Sequence, residues 1–159
     1  IQYQYIICLL LLLNNRMLFG KCLDYGCGRG TDVKFCKELG INIEGYDKYN
    51  EAFNIPNLLK EHYDVVVCNY VFNVIPNLKE HKELLGRLRE LGDNICVAVR
   101  SDIKAIRDNW EYIKDYDCYK TSTNTYQRFY NEEMIKEYFG EVKFLLNNNN
   151  LKLFHFQTI

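Results

Sequence analysis

Leu23-Asp24-Tyr25-Gly26-Cys27-Gly28-Arg29-Gly30 decides how this chain is read. Lys21 to Tyr25 is a short stretch with strand character, and it runs directly into three glycines at alternate positions. Thr31 to Leu39 then shows helical spacing, with Val33, Phe35, Cys36 and Leu39 marking one face. Gly40 is a natural residue just past a helix end. Ile41 to Tyr46 predicts a second strand, ending at Asp47. Residues 21–47 thus read as a strand–glycine loop–helix–strand unit of about thirty residues, the size of a parallel βαβ unit.

The same alternation continues outward. Residues 48–63 are poorly defined and too short for a full helix plus a full strand. Asp64 to Tyr70 predicts a strand whose Val65-Val66-Val67 run is buried on both faces. Pro76 and Asn77 open a helix with apolar positions Leu78, Leu84, Leu85, Leu88 and Leu91, ended by Gly92. Asn94 to Val99 is another buried strand. Residues 101–124 are polar and Tyr-rich, with a helix expected around 102–115, and Thr125 to Tyr130 reads as extended. Asn131 is an expected N-cap, with Glu132 and Glu133 in the first turn of a helix to Phe139. Val142 to Leu146 and Leu151 to Phe156 flank Asn147-Asn148-Asn149-Asn150, a hairpin turn, and so must run antiparallel. The fold class is α/β, a mostly parallel sheet closed by a C-terminal antiparallel hairpin. With no repeat and no linker, residues 1–159 are expected to be a single domain, residues 1–19 forming a helix that precedes the core.

Composition narrows the partners. The 159 residues are 48% hydrophobic and carry 20 basic against 21 acidic side chains, which does not suit a strongly basic nucleic-acid binder. Seven cysteines include no Cys-x-x-Cys pair, and several replace Val or Ala inside apolar runs, so they read as reduced structural thiols in a cytoplasmic protein without a bound metal. Ile6 to Leu13 is strongly apolar but shorter than the ~20 residues that span a bilayer. No basic segment precedes it and no small-residue cleavage site follows, so a sheet-covering helix is expected and no membrane partner. The first residue is Ile rather than Met, and the chain is expected to begin inside a longer product or after a trimmed end.

A glycine-rich turn at a strand's end lets a ligand approach the backbone, and two cofactor classes use one. Dinucleotide sites require Gly-x-Gly-x-x-Gly, but the third of those glycines falls here on Thr31. Asp24, two residues before the first glycine, repels a pyrophosphate and suits an ammonium group such as that of S-adenosylmethionine. Asp47 can accept two hydrogen bonds from ribose hydroxyls, a feature common to both classes.

Taken together, Asp24-x-Gly26-Cys27-Gly28-x-Gly30, Gly45-Tyr46-Asp47 and Asp64 to Ile75 resemble a class I S-adenosylmethionine-dependent methyltransferase over roughly residues 20–157. Leu23 to Val33, Asn69 to Ile75 and Thr125 to Arg128 look like the methyltransferases associated with DNA phosphorothioation. The resemblance implies a Rossmann-like sandwich of the seven-stranded type, abbreviated around its third strand. No Asn-Pro-Pro-Tyr follows Val67-Cys68, and no acid–aromatic pair grips an adenine in the third-strand region.

The implied roles are these. Asp24 holds the methionine ammonium, while Tyr25, Gly26, Cys27, Gly28 and Gly30 wrap the methionine moiety. Asp47 binds the ribose hydroxyls, flanked by Tyr46 and Lys48. Asn69 and Tyr70 face the sulfonium and methyl group, with Asn73 in a similar place. Tyr126, Gln127 and Arg128 are the substrate-side candidates, and Asn69 and Tyr126 are the catalytic ones. Arg29 and Asp32 are candidates to pair on the first helix. Trp110, Tyr112, Tyr116 and Tyr119 form either an acceptor lid or half-buried packing. His62, His81 and His155 are expected to be surface or packing residues. The implied function is methyl transfer from S-adenosylmethionine to an unidentified small-molecule or nucleic-acid acceptor, linked to DNA modification, with a protein partner supplying the grip if DNA is the acceptor. The alternatives are a non-catalytic S-adenosylmethionine-binding partner subunit and an NAD-dependent enzyme.

Overall fold

In the computed structural model residues 2–158 are described, so Ile1 and Ile159 of the expected domain lie outside the described residues. β1 (Cys22–Tyr25), β2 (Ile43–Tyr46), β3 (Tyr63–Asn69) and β4 (Gly92–Arg100) pair in parallel. β9 (Leu151–Gln157) runs antiparallel to β4 and to β8 (Lys143–Asn147). The resulting six-stranded sheet has the order β2-β1-β3-β4-β9-β8, the parallel sheet with a closing hairpin that the sequence predicts. Residues 48–62 hold turns and a 3-10 turn at Pro56–Lys60, so β2 is the edge of the sheet.

Period-two alternation along the strands separates two faces of different character. Leu23, Val66, Cys68, Ile95, Val97, Phe154 and Phe156 point to one face, where α3 (Leu78–Leu91) and α4 (Glu132–Phe139) cover them with Leu84, Leu88, Ile135 and Phe139. Cys22, Val65, Val67, Cys96 and Ala98 point to the other, beneath α1 (Gln2–Asn14) and α2 (Thr31–Glu38). The second face is built of small side chains. Cys8, Cys22, Cys36 and Cys96 are all fully buried there, so these four thiols act as small apolar groups between helix and sheet. Burial pushes Cys22 and Cys36 up to about 11 and Cys96 up to about 12, which keeps them as unreactive thiols at neutral pH.

The caps follow the sequence. The Asn77 side chain accepts from the Lys79 N–H at 2.8 Å, and the Asn131 side chain accepts from the Met134 N–H at 2.8 Å. α1 buries Cys8, Leu9 and Leu12 on the sheet and leaves Ile6 and Leu10 half exposed. No helix among the described residues is long and apolar enough to cross a membrane.

Residues 102–115 depart from expectation. No α-helix forms there. Instead β5 (Glu111–Ile113), β6 (Cys118–Lys120) and β7 (Tyr126–Gln127) make a small antiparallel sheet, with short 3-10 turns at Ile103–Ala105 and Lys114–Tyr116. Asp117 in the left-handed region (φ 47°) turns the chain from β5 into β6, and Tyr112 stacks across the pair on Tyr119 at 5.2 Å. Tyr and Ile prefer the pleated, half-buried surface to an exposed helix, and cross-strand aromatic pairs reinforce it.

Candidate active site

The carboxyl ends of β1, β2 and β3 open into one cleft of about 970 Å³. Tyr25 and Gly26, Tyr46 and Asp47, and Asn69 and Tyr70 all line it, each pair from a different strand end. Ligands of open α/β sheets bind at such strand ends.

The glycine loop is built for close approach. Gly26 has φ +81°, and a Cβ there would lie 2.5 Å from the Val71 side chain. Gly30 has φ +73°, and a Cβ would meet the Phe53 ring at 2.1 Å. At both positions any side chain would be strained and would have to push a neighbour aside. Asp47 fastens the loop from the next strand: its Oδ2 accepts from the Gly28 N–H at 2.8 Å and its Oδ1 from the Tyr49 N–H at 2.8 Å. A carboxylate has about four lone-pair sites, so two remain for a ligand's hydroxyls. Asn50 donates to the Gly28 carbonyl at 2.7 Å and completes the fastening.

Asp24 lies deeper. It is 9% exposed and lines a small cavity of about 10 Å³ together with Asp32 and Asn69. Burial lifts its carboxyl to about 7, with Asp32 and Asp47 adding to the rise. Asn69 lines both the small cavity and the large cleft, and its Oδ1 is buried without a hydrogen-bond partner. The orphaned amide oxygen lacks a donor beside a crowded carboxylate, and a cation with N–H groups supplies one. Asp32 turns toward Asp24 rather than pairing with Arg29. Burial raises its carboxyl as well.

Tyr70 holds the left-handed region at φ 61°, an uncommon place for a bulky residue and one that clusters at functional sites. Its N–H donates to the Ala98 carbonyl at 2.8 Å, its ring meets Tyr5 edge-on at 4.8 Å, and its hydroxyl lies 3.8 Å from Cys8 Sγ. Lys48 lines the cleft beside Asp47. Cys27 sits under the loop against Gly45, its thiol pushed up to about 12 mainly by burial, which leaves it a packing residue.

The substrate-side candidates are placed elsewhere. Tyr126 and Gln127 lie on β7, outside the cleft lining, and Gln127 accepts from Asn73 Nδ2 at 3.0 Å. Arg128 is fully buried. Its guanidinium donates to the carbonyls of Ile75, Pro76 and Tyr116 at 2.8, 2.8 and 2.6 Å, so it cannot meet a substrate. Trp110 and Tyr119 each pack on Phe129, and Tyr112 stays half exposed, as packing of the small sheet requires. Among the histidines, His81 is buried against the Tyr130 hydroxyl at 2.9 Å, with burial lowering it to about 4. His62 is exposed beside Asp93, and His155 pairs with Asn94.

The structure adds cleft residues that the motifs do not mark: Tyr5, Tyr49, Glu80, Glu83 and Arg87. Glu80, Glu83, Leu84 and Arg87 follow helical three- and four-residue spacing on one face of α3, the one sequence signal they carry.

Several known proteins are similar to this chain in sequence or fold. Two Haemophilus influenzae proteins, each described as a probable S-adenosyl-L-methionine-dependent methyltransferase TehB, are 26% identical over 85% of this chain and 50% of their own length. The chain thus spans about half the length of these curated relatives. The PH0226 protein of Pyrococcus horikoshii OT3 superposes with a TM-score of 0.73 at 12% identity, covering 99% of this chain and 92% of that one. The 1,6-didemethyltoxoflavin-N1-methyltransferase of Burkholderia thailandensis, solved with 1,6-didemethyltoxoflavin and S-adenosylhomocysteine, gives 0.68 at 12% identity, covering 95% and 76%. At that identity the superpositions speak for the fold. A family model described as a methyltransferase domain matches residues 2–146, and the chain belongs to that family.

Proposed function

We propose that the chain binds S-adenosylmethionine across the ends of β1, β2 and β3 and transfers its methyl group to an acceptor. The observation that carries this reading is the unpartnered Asn69 Oδ1 sharing a small cavity with the buried Asp24 carboxyl, behind a glycine loop that Asp47 anchors from the adjacent strand. Asp24 and Asn69 fit the methionine ammonium, and the free lone pairs of Asp47 fit the ribose hydroxyls. When bound, the cofactor supplies an electrophilic methyl carbon on a sulfonium. The protein's part is to orient that carbon: Gly26 and Gly28 bring backbone within reach, and Asn69 and Tyr70 wall the cleft at the end of β3. Positioning of this kind supplies much of the rate of a displacement at carbon.

Near-neutral charge bears on the acceptor. A net charge of −1 gives little grip on duplex DNA, where affinity comes mainly from neutralised phosphates. A DNA-linked acceptor, as the resemblance to phosphorothioation-associated methyltransferases suggests, would therefore call for a basic partner protein. Calorimetry tests the cofactor reading. S-adenosylhomocysteine should bind and NAD should not, and binding of NAD alone would overturn the proposal. Asp47→Ala should weaken S-adenosylhomocysteine about ten- to hundred-fold, the loss expected for hydrogen bonds to a charged group. Unchanged affinity would remove Asp47 from the ribose role. Tight binding without methyl transfer to amine, thiol or nucleic-acid acceptors would favour a non-catalytic partner subunit.

A further inference from the structure

The outer face of α1 is apolar and uncovered among the described residues. Gln2–Asn14 carries no charged side chain. Cys8, Leu9 and Leu12 are buried on the sheet, and Tyr5 turns into the cleft against Tyr70. Helical spacing puts Ile6, Ile7 and Leu10 on the opposite side, where they are 41–50% exposed. A helix that is apolar all round is normally covered all round. α2 lies alongside, since its Cys36 shares a small cavity with Leu9 and Leu12, and its Phe35 and Leu39 are also about half exposed.

Area, charge and symmetry decide what covers this face. Ile6, Ile7, Leu10, Phe35 and Leu39, with the partly buried Leu11 and Leu13, present apolar surface on each chain. That surface is roughly 500 Å² per chain, so two chains together would bury about 1,000 Å², enough for a specific but weak interface. Helices that lie on membrane surfaces carry Lys or Arg on their outer side, and α1 has neither. A second copy needs no complementary charge: an uncharged row matches itself when two such helices cross about a twofold axis. We propose that two copies of this chain pair through the outer face of α1, Ile6 of each helix packing beside Leu10 of the other. The pairing face is opposite Tyr5, so both clefts stay open, and the inference stands independently of the cofactor reading. An interface of this size gives a dissociation constant on the order of 10–100 µM, so at about 1 µM the copies are apart.

Sedimentation velocity on the full chain from about 1 to 300 µM, a range that brackets this constant, is the test. The wild type should pass from monomer to dimer and stop there. Leu10→Lys and Ile6→Lys each put an unpaired charge inside the pair and should weaken association at least about tenfold. Ile103→Lys, on an exposed apolar residue of the insertion, should pair as the wild type does. All three variants should keep the wild-type thermal midpoint at about 1 µM, which separates lost pairing from lost folding. A wild type that stays monomeric throughout overturns the inference, and so does pairing that survives both α1 variants. Equal loss in Ile103→Lys, or growth beyond the dimer, overturns it in favour of unspecific adhesion. Binding of the wild-type monomer to phosphatidylcholine vesicles overturns it in favour of lipid.

Discussion

Burial of Asp24 carries a cost in stability at neutral and higher pH. Its folded-state pKa of about 7 lies above the ordinary 3.8 of an aspartate, so between those pH values the folded chain holds a proton that the unfolded chain has lost. Stability from this group is therefore fully present below about pH 4 and is lost as pH rises through 7. The shift corresponds to on the order of 4 kcal/mol. Asp24→Asn keeps the shape and removes the buried charge, so it should raise the thermal midpoint at pH 8 and leave it nearly unchanged at pH 4. A midpoint lowered at pH 8 would show that an unseen partner already compensates the carboxylate. Binding should show the mirror image. An ammonium ligand requires the ionised form, so S-adenosylhomocysteine affinity should fall about tenfold per pH unit below 7. Calorimetry from pH 5.5 to 8 reads that slope, and a flat profile would take Asp24 out of the ammonium site. Burial is the main cause that keeps this carboxyl raised, and the charges of Asp32 and Asp47 add to it.

Elements differ in how much of themselves their own residues specify. α1 is a clear case, since its apolar run says only that it is covered. The structure divides that run into Leu12, 1% exposed on the sheet, and Leu10, 48% exposed. Leu12→Ala should cost about 2–5 kcal/mol and Leu10→Ala no more than about 0.5 kcal/mol by urea denaturation. Equal losses would mean that α1 does not sit on the sheet by that face. The glycine loop, β1, α2 and β2 are legible because their signals are local: glycines forced by positive φ, a helix face, and a carboxylate at a strand end. The small sheet is not legible, since strands of two or three residues are too short for period-two alternation to stand out and their pairing is decided across turns. Arg128 fails for a related reason. Its acceptors are carbonyls of Ile75, Pro76 and Tyr116, and a carbonyl leaves no mark in side-chain sequence. Asp24, Gly26, Asp47 and Asn69 could be placed because strand order brings β2, β1 and β3 side by side, whereas Tyr49, Glu83 and Arg87 enter the cleft only through tertiary packing.

At the scale of the molecule, the small sheet and the cleft wall are joined by one buried cation. Arg128 has no carboxylate partner among the described residues; its three carbonyl acceptors belong to the Ile75–Pro76 segment that lines the cleft and to Tyr116 between β5 and β6. Its backbone N–H donates to the Asn73 carbonyl at 2.7 Å, and the Tyr130 N–H donates to Arg100 at the end of β4 at 2.8 Å. The segment 128–130 thus ties the insertion, the cleft wall and the central sheet together. Lysine carries the same charge but is a point donor without the planar fork, so it cannot serve three carbonyls in fixed directions. Each carbonyl left buried without a partner costs about 1–3 kcal/mol. Arg128→Lys should therefore open the insertion before the core. Hydrogen exchange should speed up at least tenfold at the β5 and β6 amides and at Tyr116, while the amides of β3 and β4 keep their wild-type rates. Uniform acceleration across both sheets would make Arg128 a contributor to global stability alone. Unchanged exchange in β5 and β6 would mean that the small sheet holds itself in place, and that the cleft wall at Ile75–Pro76 is set from within the core.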